Sequence, residues 1–297
     1  MRPLYVVLAV QVALGLSLIA LVVTGNTPFT SGSSDESAAA APRPKIDRFD
    51  SATAYELLRR QVELGPRPAG SDRSRELARL IRRSLPNGRF QRVPGGLRNV
   101  VGVIPGRSRE RVIVGAHYDT KDLPGFVGAN DGASGTAVLV QLSRTFRRRK
   151  PRSTIIFIAF DGEEAPPGVP DSQFVRRGLR GSKVAAPRYR NAKAMVLLDF
   201  VGEHGLRVPR EGSSDRLLWK RLRAASRRAG VAQVFPPRSQ GVISDDHTPF
   251  LRQGVPSIDL IDFDFACFHR RCDDLSRISE RSLDAVGETM VELVSRL

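Results

Sequence analysis

Residues 154–164 read Thr-Ile-Ile-Phe-Ile-Ala-Phe-Asp-Gly-Glu-Glu. The first seven positions are β-branched, aromatic or Ala and show no polar alternation, as expected of a strand buried on both faces in the middle of a sheet. Three acidic residues and a glycine follow at once. A strand covered on both faces needs helices on both sides of its sheet. In open α/β sheets the functional crevice lies beyond the carboxyl ends of the strands.

Working outward, apolar strands alternate with amphipathic helices. Strands are expected at 101–104, 112–116, 194–199 and 257–261, and helices near 133–147, 174–184, 213–228 and 282–297. In the helix at 213–228, Leu217, Leu218, Leu222, Ala225 and Ala229 fall along one stripe, and the sole tryptophan, Trp219, lies on this helix, which is expected at the surface of the domain. Upstream, Tyr55, Leu57, Leu58, Val62 and Leu64 keep a helical period behind the capping residues Asp50 and Ser51. The segment 65–70, Gly-Pro-Arg-Pro-Ala-Gly, breaks that helix before a second one at 71–84. The expected fold is a three-layer α/β/α domain with a mainly parallel central sheet, spanning 47–297.

Leu4–Thr24 is a stretch of 21 residues without a charge, long enough to cross a bilayer as a helix. Arg2 alone precedes it, which keeps that end in the cytoplasm and places the remainder outside. Residues 1–25 are therefore read as a transmembrane anchor, with a cleaved signal ending near Val23-Thr24-Gly25 as the other possibility. Residues 26–46, rich in Ser, Ala, Pro and Gly, form a flexible linker. In an exported protein Cys267 and Cys272 are expected to form a disulfide, because a metal site usually draws on more Cys and His than this pair. The net charge is +16, carried almost wholly by Arg, with six Lys among 47 basic residues. Such a field draws the protein toward anionic lipid or polyanions. No nucleic-acid module or basic helix interleaved with aromatics accompanies it, so nucleic acid is not expected as a partner.

Polar residues gather where the strands end. His117 and Asp119 follow the strand at 112, Asp161, Glu163 and Glu164 follow the strand at 154, and Asp199 ends the strand at 194. Asp131, Asp245, His247 and His269 lie on loops able to complete the set. Histidine with carboxylates and no thiolate suits zinc or a similar divalent ion. Asp119, two residues after His117, is placed to reach its far ring nitrogen. Of the neighbours Glu163 and Glu164, one is free to bind metal while the other handles a proton.

These segments resemble the zinc aminopeptidase family that also contains the glutaminyl-peptide cyclotransferases. The likeness runs from about Leu64 to Leu297 through GAHYDT, GANDGASG, FDGEEA, LLDF, SDDHTPF with RQGVP, and FHRRCDD. It implies metal-ligand positions at His117, Asp131, Glu164, Asp199 and His269, with one or two zinc ions and Asp131 as the bridge. It implies Glu163 as general acid/base, Asp119 as the residue orienting His117, and peptide or protein N-termini as substrate. Asp245, within SDDHTPF, would join a hydrogen-bond network with Glu163 and Asp199, as would suit the cyclase branch. Asp171-Ser172 and Arg180-Gly181-Ser182 are also cyclase-like. Against that branch, its two pocket tryptophans have no counterpart: Phe268 precedes His269, and the loop after Glu164 reads Ala-Pro-Pro-Gly-Val. Asp259 stands where the cyclases are expected to carry a histidine. An aminopeptidase is thus the leading expectation and a glutaminyl cyclase the alternative. A non-catalytic receptor or scaffold should have gaps among the five ligand positions, and none is missing.

Overall fold

The computed structural model describes residues 40–297, so the expected anchor and most of the linker lie outside the described residues. Six strands form one sheet in the order β1-β2-β4-β3-β5-β6. They are β1 (Arg89–Val93), β2 (Leu97–Ile104), β3 (Arg111–His117), β4 (Thr154–Phe160), β5 (Ala194–Leu198) and β6 (Ser257–Leu260). β3 pairs in parallel with β4 and β5, and β5 with β6, whereas β1–β2 and β2–β4 are antiparallel. The sheet is thus mixed, parallel from β4 through β3 and β5 to the β6 edge and antiparallel at the other side.

Successive residues of the central strands face opposite layers, as a period of two requires. Val112, Val114, Ile155, Phe157, Val196 and Leu198 join the larger core beneath α1 (Ser51–Glu63), α3 (Gly135–Arg147) and α6 (Glu280–Val294). Ile113, Ile156, Ile158, Met195 and Leu197 join a second core with Tyr189 and Phe250 on the other face. This is the expected three-layer arrangement. Asp50 caps α1 by accepting the Thr53 N–H, and Ser71 caps α2 (Asp72–Ser84) through the Ser74 N–H.

One strand was not anticipated, and two local expectations are corrected. The sequence offers little sign of β1 (Arg89–Val93) because its polar and apolar residues do not alternate cleanly, Phe90 being exposed and Gln91 buried, at a sheet edge that tolerates exposed charge. The expected helix at 174–184 is broken: Leu179 adopts φ +54°, and α4 (Arg180–Ala185) starts beyond it. The break is useful, since the N–H groups of Leu179 and Arg180 donate to the carbonyls of Glu163 and Gly162 and clamp that loop. In α5 (Arg216–Ala229) Leu218, Leu222, Ala225 and Ala229 are buried as the stripe requires, but Leu217 is 61% exposed and Trp219 takes the inward position beside them at 5% exposure. The Trp219 ring packs edge-on against Phe235, a partner outside the helix that periodicity alone does not reveal.

Candidate metal centre and crevice

The carboxyl ends of β3, β4 and β5 open into a crevice with a cavity of about 410 Å³. Its floor carries Asp131, Glu163, Glu164, Asp199, Asp245 and His269. His117, the last residue of β3, is buried with its Nε2 3.2 Å from Asp131 Oδ1 and 3.3 Å from Asp199 Oδ1. His269 Nε2 lies 3.4 Å from the other Asp131 oxygen and 3.3 Å from Glu164 Oε1. The donor atoms of His117, Asp131 and Asp199 fall within 4.8 Å of one another, as do those of Asp131, Glu164 and His269. Two candidate cation sites therefore share Asp131.

The backbone explains why Asp131 can turn both ways. Residues 129–134 leave the helical path at Asp131 and Gly132 before α3 begins. Gly132 has φ +86°, and a Cβ there would sit 2.9 Å from the Asp119 carbonyl and 3.1 Å from the His117 ring. Only glycine lets the loop pass so close. At Gly135 a Cβ would lie 2.0 Å from the Leu198 carbonyl, so α3 starts flush against the end of β5.

His117 Nδ1 meets the backbone carbonyl of Asp119 at 3.1 Å, with the Asp119 carboxylate farther off at 3.8 Å. That carboxylate instead accepts the N–H groups of Gly162, Glu163 and Glu164. Asp119 thus orders the loop carrying both glutamates, and its contact with His117 is made by its main chain. His269 is held with φ +51°, uncommon for a residue with a Cβ, inside the loop closed by the Cys267–Cys272 disulfide, whose Cα atoms are 5.4 Å apart. Phe268 stacks on the His269 ring at 3.8 Å, and Phe200 and Phe263 continue an aromatic wall over the crevice.

Burial dominates the electrostatics. It pushes Asp199 to about 7, and pushes Glu163 well above the carboxylate range with added repulsion from Glu164. Burial also raises Glu164 and Asp245. Burial alone would lower His117, but its carboxylate neighbours hold it well above the usual imidazole value. The cluster is thus short of positive charge. Asp131 Oδ2 and Glu164 Oε2 are buried without a hydrogen-bond partner, which is costly in the absence of a cation. Nitrogen and carboxylate donors of this kind fit a divalent ion.

Several residues that sequence reasoning did not single out support the floor. Asp273 accepts the N–H groups of Asn130 and Asp131. Arg67 is wholly buried, donating to the carbonyls of Gln61, Gly65 and Gly128 beneath the same loop. Lys121 stands 3.5 Å from Glu164 at the rim. His247, expected to play a structural or supporting part, is buried away from the ligands, 3.2 Å from Glu211 and 3.7 Å from Asp259. Trp219 is not among the crevice residues.

Residues 99–294 match the family model described as Peptidase family M28. A glutaminyl-peptide cyclotransferase of Drosophila melanogaster is 28% identical over 215 residues, covering 63% of this chain and 61% of that protein. The chain spans about three fifths of the length of the curated relatives it matches. Among solved structures, a glutaminyl cyclase from an Acidobacteriales bacterium superposes with a TM-score of 0.74 at 27% identity, covering 86% of this chain and 97% of that one. A leucine aminopeptidase precursor from Bacteroides thetaiotaomicron superposes with a TM-score of 0.75 at 25% identity, covering 86% and 99%.

Proposed function

Because this chain belongs to peptidase family M28, we propose that it is a zinc-dependent glutaminyl cyclase acting on peptides that begin with Gln. The weight shifts here from the aminopeptidase favoured by sequence to its alternative. Cyclases are named among the relatives by sequence and by structure alike, and the match to a cyclase structure runs through 97% of its length. The observation that carries the reading is Asp245. It adds a further buried carboxyl to the crevice beyond the proposed ligands, and its charge and that of Asp246 reinforce the effect of burial and Glu164 in raising Glu163. A carboxyl raised in this way keeps its proton to higher pH than a free one, which suits a shuttle between two nitrogens.

The reaction joins the α-amine nitrogen to the side-chain amide carbon of Gln and breaks the bond from that carbon to its nitrogen. Glu163 accepts a proton from the attacking amine and returns one to the departing nitrogen, so a lactam and ammonia result. His117, Asp131, Glu164, Asp199 and His269 are the residues that would hold zinc. Bound zinc supplies Lewis-acid polarisation of the amide carbonyl. Phe200, Phe263 and Phe268 line the same crevice and restrict water, the competing nucleophile. The Cys267–Cys272 bridge agrees with an extracytoplasmic location.

The two candidate cation sites sharing Asp131 favour a second reading, an aminopeptidase with two zinc ions. Incubation with a Gln-initiated and a Leu-initiated peptide separates them. Ammonia release without cleavage supports the cyclase; a free N-terminal amino acid supports the peptidase and overturns the first reading.

A further inference from the structure

At 147–152 the chain reads Arg-Arg-Arg-Lys-Pro-Arg, five cations in six positions. All five are exposed, between the end of α3 and the start of β4. Arg107 and Ser108 join this turn by donating their N–H groups to the carbonyls of Pro151 and Arg152. Arg152 in turn borders a recess of about 430 Å³ with Lys193, Arg221, Arg228 and Arg296. Glu110 pairs with Lys193, and Glu292 pairs with both Arg228 and Arg296. Arg147, Arg148, Arg149, Lys150, Arg152 and Arg221 have no ion-pair partner among the described residues. Arg111 pairs with Thr154 where β3 and β4 begin, so this surface lies at the opposite end of the strands from the crevice.

The path of the chain selects an occupant. The Lys45 N–H donates to the Ala229 carbonyl, next to Arg228, so the chain enters the domain beside this cationic end. Twenty residues, 25–44, separate that point from the uncharged stretch Leu4–Thr24. A segment whose composition suits a bilayer and the entry to a cationic face are thus separated by only twenty residues of sequence.

We propose that the end of the domain carrying residues 147–152 docks on an anionic phospholipid bilayer, leaving the crevice pointing away from it. Juxtamembrane cations are attracted to such surfaces within a Debye length, about 10 Å at 0.1 M salt and about 3 Å at 1 M.

The test uses the full chain in nanodiscs of phosphatidylcholine alone or mixed with phosphatidylglycerol, with trypsin as the probe. Cleavage at 147–150 is measured relative to cleavage at Arg270 and Arg271, which are exposed near the crevice. The expected result is cleavage at least about tenfold slower in anionic discs at 0.1 M salt, recovered at 1 M. Combined Arg147→Glu, Arg148→Glu and Arg149→Glu substitutions should abolish the protection. That variant has lost trypsin sites, so its docking is read by hydrogen exchange over 107–111. The salt response of the unaltered chain stands as a separate measure should the variant fold poorly. Equal cleavage in the two discs overturns the proposal. So does equal protection by a DNA duplex added to neutral discs, which would assign the surface to nucleic acid.

Discussion

The Asp273 carboxylate accepts the backbone N–H of Asp131 at 3.0 Å, and that of Asn130 at 2.7 Å with its other oxygen. The loop that turns the shared ligand toward both histidines is therefore held from outside, by a residue four positions after His269. Asp273→Asn exchanges one acceptor for a donor and sets it against a main-chain N–H. Residues that hold a ligand in place are typically worth about 10- to 100-fold in metal affinity. We expect zinc affinity, measured by chelator competition, to fall by that factor, with rate recovered at high zinc. Unchanged zinc affinity would show that Asp131 keeps its conformation without this support.

Glu163→Gln preserves shape and removes the proton acceptor. The expected rate on a Gln-initiated peptide falls by about 10²-fold or more, the scale of acid–base catalysis, while zinc content stays at the level of the unaltered protein. Near-normal turnover would remove Glu163 from the reaction.

Reduction of Cys267–Cys272 should affect the site more than the fold. A cross-link closing so short a loop takes little entropy from the unfolded chain, so the zinc-free melting temperature should hardly move. His269 lies within that loop in a left-handed conformation, and releasing it adds an ordering cost to metal binding. Zinc titration of oxidised and reduced protein, each with its melting curve, compares the two effects. A large fall in melting temperature with unaltered zinc affinity would contradict the expectation.

Far from the crevice, burial and then repulsion from Glu288, Asp47 and Glu280 push Asp284 to about 7. Its unfolded value is about 3.9. Between these values the folded chain binds a proton that the unfolded chain has released, so stability falls as pH rises through this window. Asp284→Asn removes that penalty. Because Asp284 is only about half buried, the gain is discounted to about 1 kcal/mol at pH 8, with none at pH 4. Urea unfolding at both values is the check, and an equal gain at the two would assign the effect to packing.

The legible parts of this fold were those where one physical demand dominated. Thr154–Phe160 had to be a central strand because nothing polar interrupts it, and the acids after it had to lie at its carboxyl end. Arg89–Val93 was hidden because an edge strand tolerates charge on its open face. Asp119 was read toward the neighbouring ring, yet its carboxylate turns to three N–H groups of a loop more than forty residues away. Arg67 and Asp273 carry no local signature, since their partners are main-chain groups brought near only by the tertiary fold. Leu217 was counted in the buried stripe of α5, but Trp219 turns inward instead, because the face that meets Phe235 depends on a segment beyond the helix.

The placement of Asp131 between two histidines also orders events during folding. His117 precedes it by 14 residues and His269 follows it by 138, so the two halves of the centre close loops of very different length. Loop closure over longer separations is entropically harder and slows assembly. A partly folded chain in which β3 and α3 have docked, but 267–273 have not, already holds His117 beside Asp131 while lacking His269 and the Asp273 brace. Closing the longer loop, which brings in the His269 half, is thus the entropically costlier of the two steps. Metal uptake followed in time would report when the chain has finished.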